Sequence, residues 1–139
     1  MAANGDAYET SGLSSVVSGQ WVELHLKHLA LLVRDIRTAR RFYEKYLGFG
    51  DNDAVWHGDV LFIRDGDGFD LALMKGEHPP NPGAFHHFGF LVPDPTAVRD
   101  LQKRLEADGV PILEVVDETD QVSFKCADPD GYTVEVYSE

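Results

Sequence analysis

The chain has a single cysteine, Cys126, so no intramolecular disulfide can close and no cysteine-based zinc cluster can be built. That cysteine sits in an apolar strand pattern and is expected as a buried thiol. Positive charge is also scarce. Lys and Arg number 12 against 24 for Asp and Glu, a formal net charge of −12. A phosphate backbone or an anionic lipid surface repels such a chain, which sets aside nucleic-acid and membrane-surface partners. No run approaches the roughly 18 consecutive apolar residues of a membrane-spanning helix. The N-terminus lacks the basic region followed by an apolar run that marks a secretory signal, so a cytoplasmic location is expected.

What is present is enough for one domain. The 139 residues are 43% hydrophobic and 26% charged, a balance that supports a proper core. Residues 1 to about 20 mix Ser, Gly, Ala and Asn without an apolar period and read as a flexible tail, leaving a single domain over residues 21–139. Within it the apolar period switches repeatedly. Alternation up to Val33 reads as a strand. Helical spacing follows, with Asp35 as cap, Ala39, Phe42, Tyr43, Tyr46 and Leu47 on one stripe, and Gly48 as terminator. Short apolar runs around residues 60–63 and 69–74 read as further strands.

The same order then returns. A strand over residues 85–92 precedes Asp94 as cap and Pro95 at the first helical position, with Val98, Leu101 and Leu105 forming the stripe and Gly109 the stop. Strands over residues 113–116, 122–126 and 132–137 complete the unit. His28 to Val33 lies over His87 to Val92 at an offset of 59, with Asp35 over Asp94 and Arg40 over Arg99. Asp65-Gly66-Asp67-Gly68 lies over Asp128-Pro129-Asp130-Gly131 at an offset of 63, and both tetrads suit tight hairpin turns. The fold class is therefore α+β: two tandem βαβββ modules, about residues 24–76 and 84–138.

Strand pleating sorts the side chains into two faces. One face holds Leu29, Leu31, Val33, Leu71, Leu73, Phe88, Phe90, Val92, Val134 and Val136, the expected core side beneath the helices. The other holds His28, Ala30, Asp70, Ala72, His87, Gly89, Thr133 and Glu135, which are small or polar and suit the lining of a cavity. Two imidazoles and a carboxylate on one face suit a divalent metal such as Fe, Mn, Co, Ni or Zn, with open positions left for substrate. His28 and His87 occupy one equivalent position of the repeat, and Glu135 shares their phase in a strand that is otherwise apolar. The position equivalent to Glu135 in the first module is Ala72, so three protein ligands are expected: His28, His87 and Glu135. His25, His57, His78 and His86 are read as surface or supporting residues. Asp70 and Thr133 share the ligand face and are left without an assigned role.

These features resemble the vicinal oxygen chelate superfamily: tandem βαβββ modules, His28-Leu29-Ala30, Tyr43 with Leu47-Gly48-Phe49, His87 with Gly89-Phe90, and Asp128-Pro129-Asp130-Gly131-Tyr132 leading to Glu135. The superfamily includes glyoxalase I, bleomycin-resistance proteins, extradiol dioxygenases and fosfomycin-resistance thiol transferases. The resemblance implies a U-shaped eight-stranded mixed sheet with helices on its outer face. It also implies a divalent metal that chelates an oxygen-rich small substrate through His28, His87 and Glu135, and a homodimer that pairs module one of one subunit with module two of the other. Glyoxalase I supplies a second glutamate where Ala72 stands here, so a three-ligand set fits dioxygenases or thiol transferases better, and the fosfomycin enzymes a threonine where Ala30 stands, which sets their substrate aside; the expected chemistry is dioxygenase first, then lyase/isomerase, then thiol transfer. The alternative is a bleomycin-resistance-type protein that sequesters a drug or metabolite without catalysis, a reading consistent with the acidic charge and with Trp56 and Tyr137.

Overall fold

Two aspartates start the two helices found among the described residues of the protein, whose computed structural model describes residues 14–17, 19–50, 54–77 and 85–139. Helix α1 spans Ile36–Tyr46 and α2 spans Pro95–Ala107. The Asp35 carboxylate accepts the Thr38 N–H at 3.1 Å, and that of Asp94 accepts the Ala97 N–H at 2.9 Å. Each satisfies an amide that a helix start otherwise leaves unbonded. Gly48, at φ 78°, turns the chain out of α1 so that the Phe49 N–H reaches back to the Tyr43 carbonyl at 3.3 Å. Ala39, Phe42 and Tyr43 of α1 and Val98 and Leu105 of α2 are buried, as their spacing anticipates.

The strands are β1 (Ser14–Val17), β2 (Gln20–Glu23), β3 (His28–Val33), β4 (Val55–His57), β5 (Val60–Arg64), β6 (Asp70–Lys75), β7 (Phe88–Leu91), β8 (Ile112–Asp117), β9 (Val122–Ala127) and β10 (Thr133–Ser138). Eight of them form two four-stranded sheets, in the orders β3-β6-β5-β4 and β7-β10-β9-β8. In each sheet the first strand pairs parallel with the last strand of its module, and the remaining pairs are antiparallel. This is the tandem βαβββ architecture, with its backbone hydrogen bonding divided between two sheets of identical topology. One difference lies at the N-terminal side. Where composition reads as a tail up to about residue 20, β1 and β2 pair antiparallel through a turn at Gly19, whose φ is 79°. Residues 1–13 of that stretch lie outside the described residues. Strand β4 also went unmarked, because three residues are too few to display a period.

The core is one cluster drawn from both modules. Val33, Tyr43, Ile63, Leu73, Leu105, Val134 and Val136 are fully buried within it. Phe49 of module one meets Phe90 of module two edge-to-face at 6.1 Å. Polar contacts fasten the same seam. Asp128 to Tyr132 is a tight turn in which the Asp128 Oδ1 accepts the N–H groups of Asp130 and Tyr132 at 2.9 and 2.8 Å. The turn docks on module one. The Tyr43 hydroxyl donates to Asp128 Oδ2 at 2.6 Å, the Arg34 N–H to Asp130 Oδ1 at 2.8 Å, and the Tyr132 hydroxyl to the Leu32 carbonyl at 2.9 Å. Burial raises the pKa of the Asp128 carboxyl and pushes the Tyr43 phenol well above its ordinary value.

The repeat copy of this turn, Asp65 to Phe69, reproduces the internal bonding: Asp65 Oδ1 accepts the N–H groups of Asp67 and Phe69 at 3.0 and 2.8 Å. Its outward contacts differ. Asp65 bridges to Phe49, and the Asp67 carbonyl accepts the Lys27 ammonium at 2.8 Å, both within module one. Among the described residues no helix is long and apolar enough to cross a membrane.

Candidate metal-binding face

Pairing register decides which side chains share the helix-free face of each sheet. In module two, Glu135 is level with Gly89 on β7 and Lys125 on β9, and Tyr137 is level with Leu91 and Ser123. His87 immediately precedes β7. Its Nε2 stands 3.4 Å from Glu135 Oε1, with both side chains mostly shielded from solvent. On the other side of the ring, Nδ1 lies 2.5 Å from the Phe85 carbonyl oxygen. A carbonyl can only accept, so Nδ1 is the donor of that contact and Nε2 is the ring nitrogen turned towards Glu135. That is the orientation a metal-ligating imidazole needs. Gly89 leaves the space: a Cβ there stands 3.1 Å from Tyr137 Cε1 and 3.4 Å from Glu135 Oε1.

In module one, His28 is exposed and level with Asp70 across the parallel pair, and Asp70 in turn is level with Arg64. The Arg64 guanidinium holds the Asp70 carboxylate through Nε at 2.5 Å, so Asp70 is tied to a cation on its own face rather than to a turn. The His28 ring stacks on Phe62 with centroids 6.2 Å apart, and His57 meets the same ring edge-to-face at 5.4 Å. Phe62 and Arg64 were not singled out from sequence, and His57 was read only as a surface or supporting residue. The run Val60-Leu61-Phe62-Ile63 is apolar at every position, which hides its phase. Further along this face a shallow apolar hollow of about 180 Å³ is lined by Ala30, Leu31, Leu32, Val60, Ala72 and Met74.

The expected three-ligand set is therefore present as two parts. His87 and Glu135 converge; His28 lies on the other sheet, and among the described residues no three His, Cys, Asp or Glu side chains lie close enough to hold a metal together. The His87–Glu135 pair suits a divalent ion as a bidentate half of a site, since it supplies one neutral nitrogen and one carboxylate oxygen facing each other. Of the other histidines, His25 stands 3.6 Å from Glu23, His86 packs edge-on to Phe85, and His78 lies outside the described residues. Trp56 is level with the buried Leu61, so it belongs to the helix-covered side, where it borders Ile36, Arg37 and Arg40. Cys126 is buried, and burial with the nearby Asp128 charge pushes its thiol pKa up to about 12.

Comparison with known proteins agrees with this architecture. The family model described as Glyoxalase/Bleomycin resistance protein/Dioxygenase superfamily matches residues 25–136. The structure of a possible glyoxalase from Bacillus cereus is 34% identical, with a TM-score of 0.68, covering 81% of this chain and 97% of that one. An uncharacterized protein of Pseudomonas aeruginosa is 32% identical over 128 residues, spanning 79% of this chain and 85% of its own length. The lactoylglutathione lyase of Agrobacterium tumefaciens is 26% identical, with a TM-score of 0.62, covering 82% of this chain and 92% of that one.

Proposed function

Because the chain belongs to the glyoxalase, bleomycin resistance protein and dioxygenase superfamily, we propose that it is a metal-dependent enzyme acting on a small oxygen-rich substrate, with dioxygenase chemistry ranked before lyase/isomerase and thiol-transferase chemistry. The observation that carries this reading is the His87–Glu135 pair, 3.4 Å apart, with the imidazole anchored through Nδ1 so that Nε2 is free to ligate. His28 completes the set from a second copy: the partner subunit's His28 joins His87 and Glu135 in a homodimer that sets module one of one protomer against module two of the other. Two exposed apolar side chains support that assembly. Leu26 and Phe85 occupy equivalent positions of the repeat, two residues before His28 and His87, and are 86% and 84% exposed. Large apolar groups this open are what an interface between copies covers.

A divalent metal bound by the trio, whether Fe, Mn, Zn, Ni or Co, supplies Lewis acidity for adjacent substrate oxygens and for the negative charge that develops on them. The chain's own residues do the rest. The Phe85 carbonyl orients the His87 ring, Gly89 keeps space open beside Glu135, and the apolar hollow at Ala30 and Ala72 accepts the hydrocarbon part of a substrate. That hollow also supports the second reading, metal-independent sequestration of an apolar drug or metabolite. Elemental analysis with titration of the parent, His87→Ala and His28→Ala separates them, followed by a screen of the Fe(II), Mn(II), Zn(II) and Ni(II) forms against catechols, α-keto hemithioacetals and epoxides. The expected result is one metal per chain, lost in both variants, with turnover of one class. Undiminished metal binding in His87→Ala, or drug binding without turnover under any metal, overturns it.

A further inference from the structure

The floor of the same face holds a polar atom with nothing to bond. Thr133 is 3% exposed, and its Oγ1 is buried without a hydrogen-bond partner among the described residues. Register fixes where it stands. Thr133 is level with Ala127 on β9, which offers only a methyl group, and it lies one position before the Val134–Phe88 pair, so that on the β7 side it is level with His87. Glu135 follows two residues later on the same face. Thr133 is therefore in register with, and on the same face as, the two residues whose side chains converge at 3.4 Å. A buried hydroxyl stripped of water costs folding free energy until it finds a partner, and a bound ion or a functional role is among the explanations such a group calls for.

We infer that Thr133 is a positioning residue for the metal pair: its hydroxyl finds its partner in the carboxylate of Glu135 when that side chain turns to ligate. A ligating carboxylate keeps lone pairs to spare, and a hydroxyl donor next to it fixes its orientation. This inference rests on the metal reading above and deepens it by adding a residue that acts through a ligand rather than on the metal.

The test compares the parent, Thr133→Val, Thr133→Ser and His87→Ala by calorimetric titration with Co(II) and by thermal melting without metal. Valine keeps the shape and deletes the hydroxyl. Metal-free Thr133→Val is expected to melt at or above the parent temperature, since it loses only an unbonded polar group. Its Co(II) affinity is expected to fall about tenfold, with serine restoring it to within about twofold. If Thr133→Val binds Co(II) as the parent does while His87→Ala does not, this inference fails and the metal reading stands. If metal-free Thr133→Val melts several degrees lower or does not fold, the hydroxyl is bonded without metal and the inference fails. A parent that takes up no Co(II), with His87→Ala no different from it, overturns both together.

Discussion

Gly89 carries the tightest steric condition at the site, because the atom it lacks has a definite address. A methyl there presses on the Tyr137 ring at 3.1 Å and just touches Glu135 Oε1 at 3.4 Å. Gly89→Ala is therefore expected to weaken metal binding by about tenfold through the shift it forces on the Tyr137 ring beside Glu135, measured by titration, with the melting temperature little changed. At the seam the arithmetic is different. Tyr43→Phe leaves Asp128 Oδ2 buried without its donor and is expected to cost roughly 1–3 kcal/mol in denaturant unfolding. The phase of His28, His87 and Glu135 was legible in the sequence, because strand alternation sorts faces without knowledge of the fold. The Tyr43–Asp128 bond was not, since 85 residues separate its partners and neither belongs to a local motif that requires the other. The orphan hydroxyl of Thr133 was beyond reach for a related reason: alternation says which way a side chain points and is silent on what it meets.

Helices were the most readable elements, since caps, stripes and terminators all act within a few residues of one another. Asp35, Gly48, Asp94, Pro95 and Gly109 each stand where their local physics places them. Removing the Asp94 cap by Asp94→Ala is expected to cost about 1 kcal/mol. Leu105→Ala, which opens a hole in the shared core beneath α2, is expected to cost roughly 2–5 kcal/mol; chemical denaturation ranks the two. Strand β4 and the β1–β2 hairpin escaped notice because backbone pairing holds them, and pairing leaves little trace in the composition of three or four residues. The two sheets follow the same rule from the other side. Alternation identified their faces, yet the distance between His28 on one and His87 on the other depends on how the modules pack, which no periodicity encodes.

At the scale of the whole molecule, a chelator is expected to lower the melting temperature of the metal-loaded protein, since metal at tens of Kd stabilises the fold by about 2 kcal/mol. If the site spans two copies, that gain also falls on dilution into the monomer range, which scattering and calorimetry at two concentrations check. Acid–base behaviour offers a separate test of the seam. Burial raises the Asp128 pKa, so the folded chain holds that proton to higher pH than the unfolded one, and stability is lost as pH climbs from the ordinary carboxylate range through the folded value. Asp108 and Asp117 shift the opposite way, through hydrogen bonds from Tyr46 and Arg99, and their contribution is lost on acidification. Both are common to the parent and Asp128→Asn. The parent's melting temperature is therefore expected to fall relative to that of Asp128→Asn as pH rises through this window, and parallel profiles would refute the assignment. The paired turns carry a last consequence. Asp65 to Phe69 and Asp128 to Tyr132 bond internally alike, yet the second grips the neighbouring module while the first stays within its own. One copy of the duplicated segment is under constraint from across the seam, and the other is at liberty to drift. Insertions and randomised sequence should be tolerated at residues 66–67, ahead of Gly68 with its φ of 80°, and rejected at 129–131, which makes the first turn the place where a descendant of this chain can acquire a new loop without losing its fold.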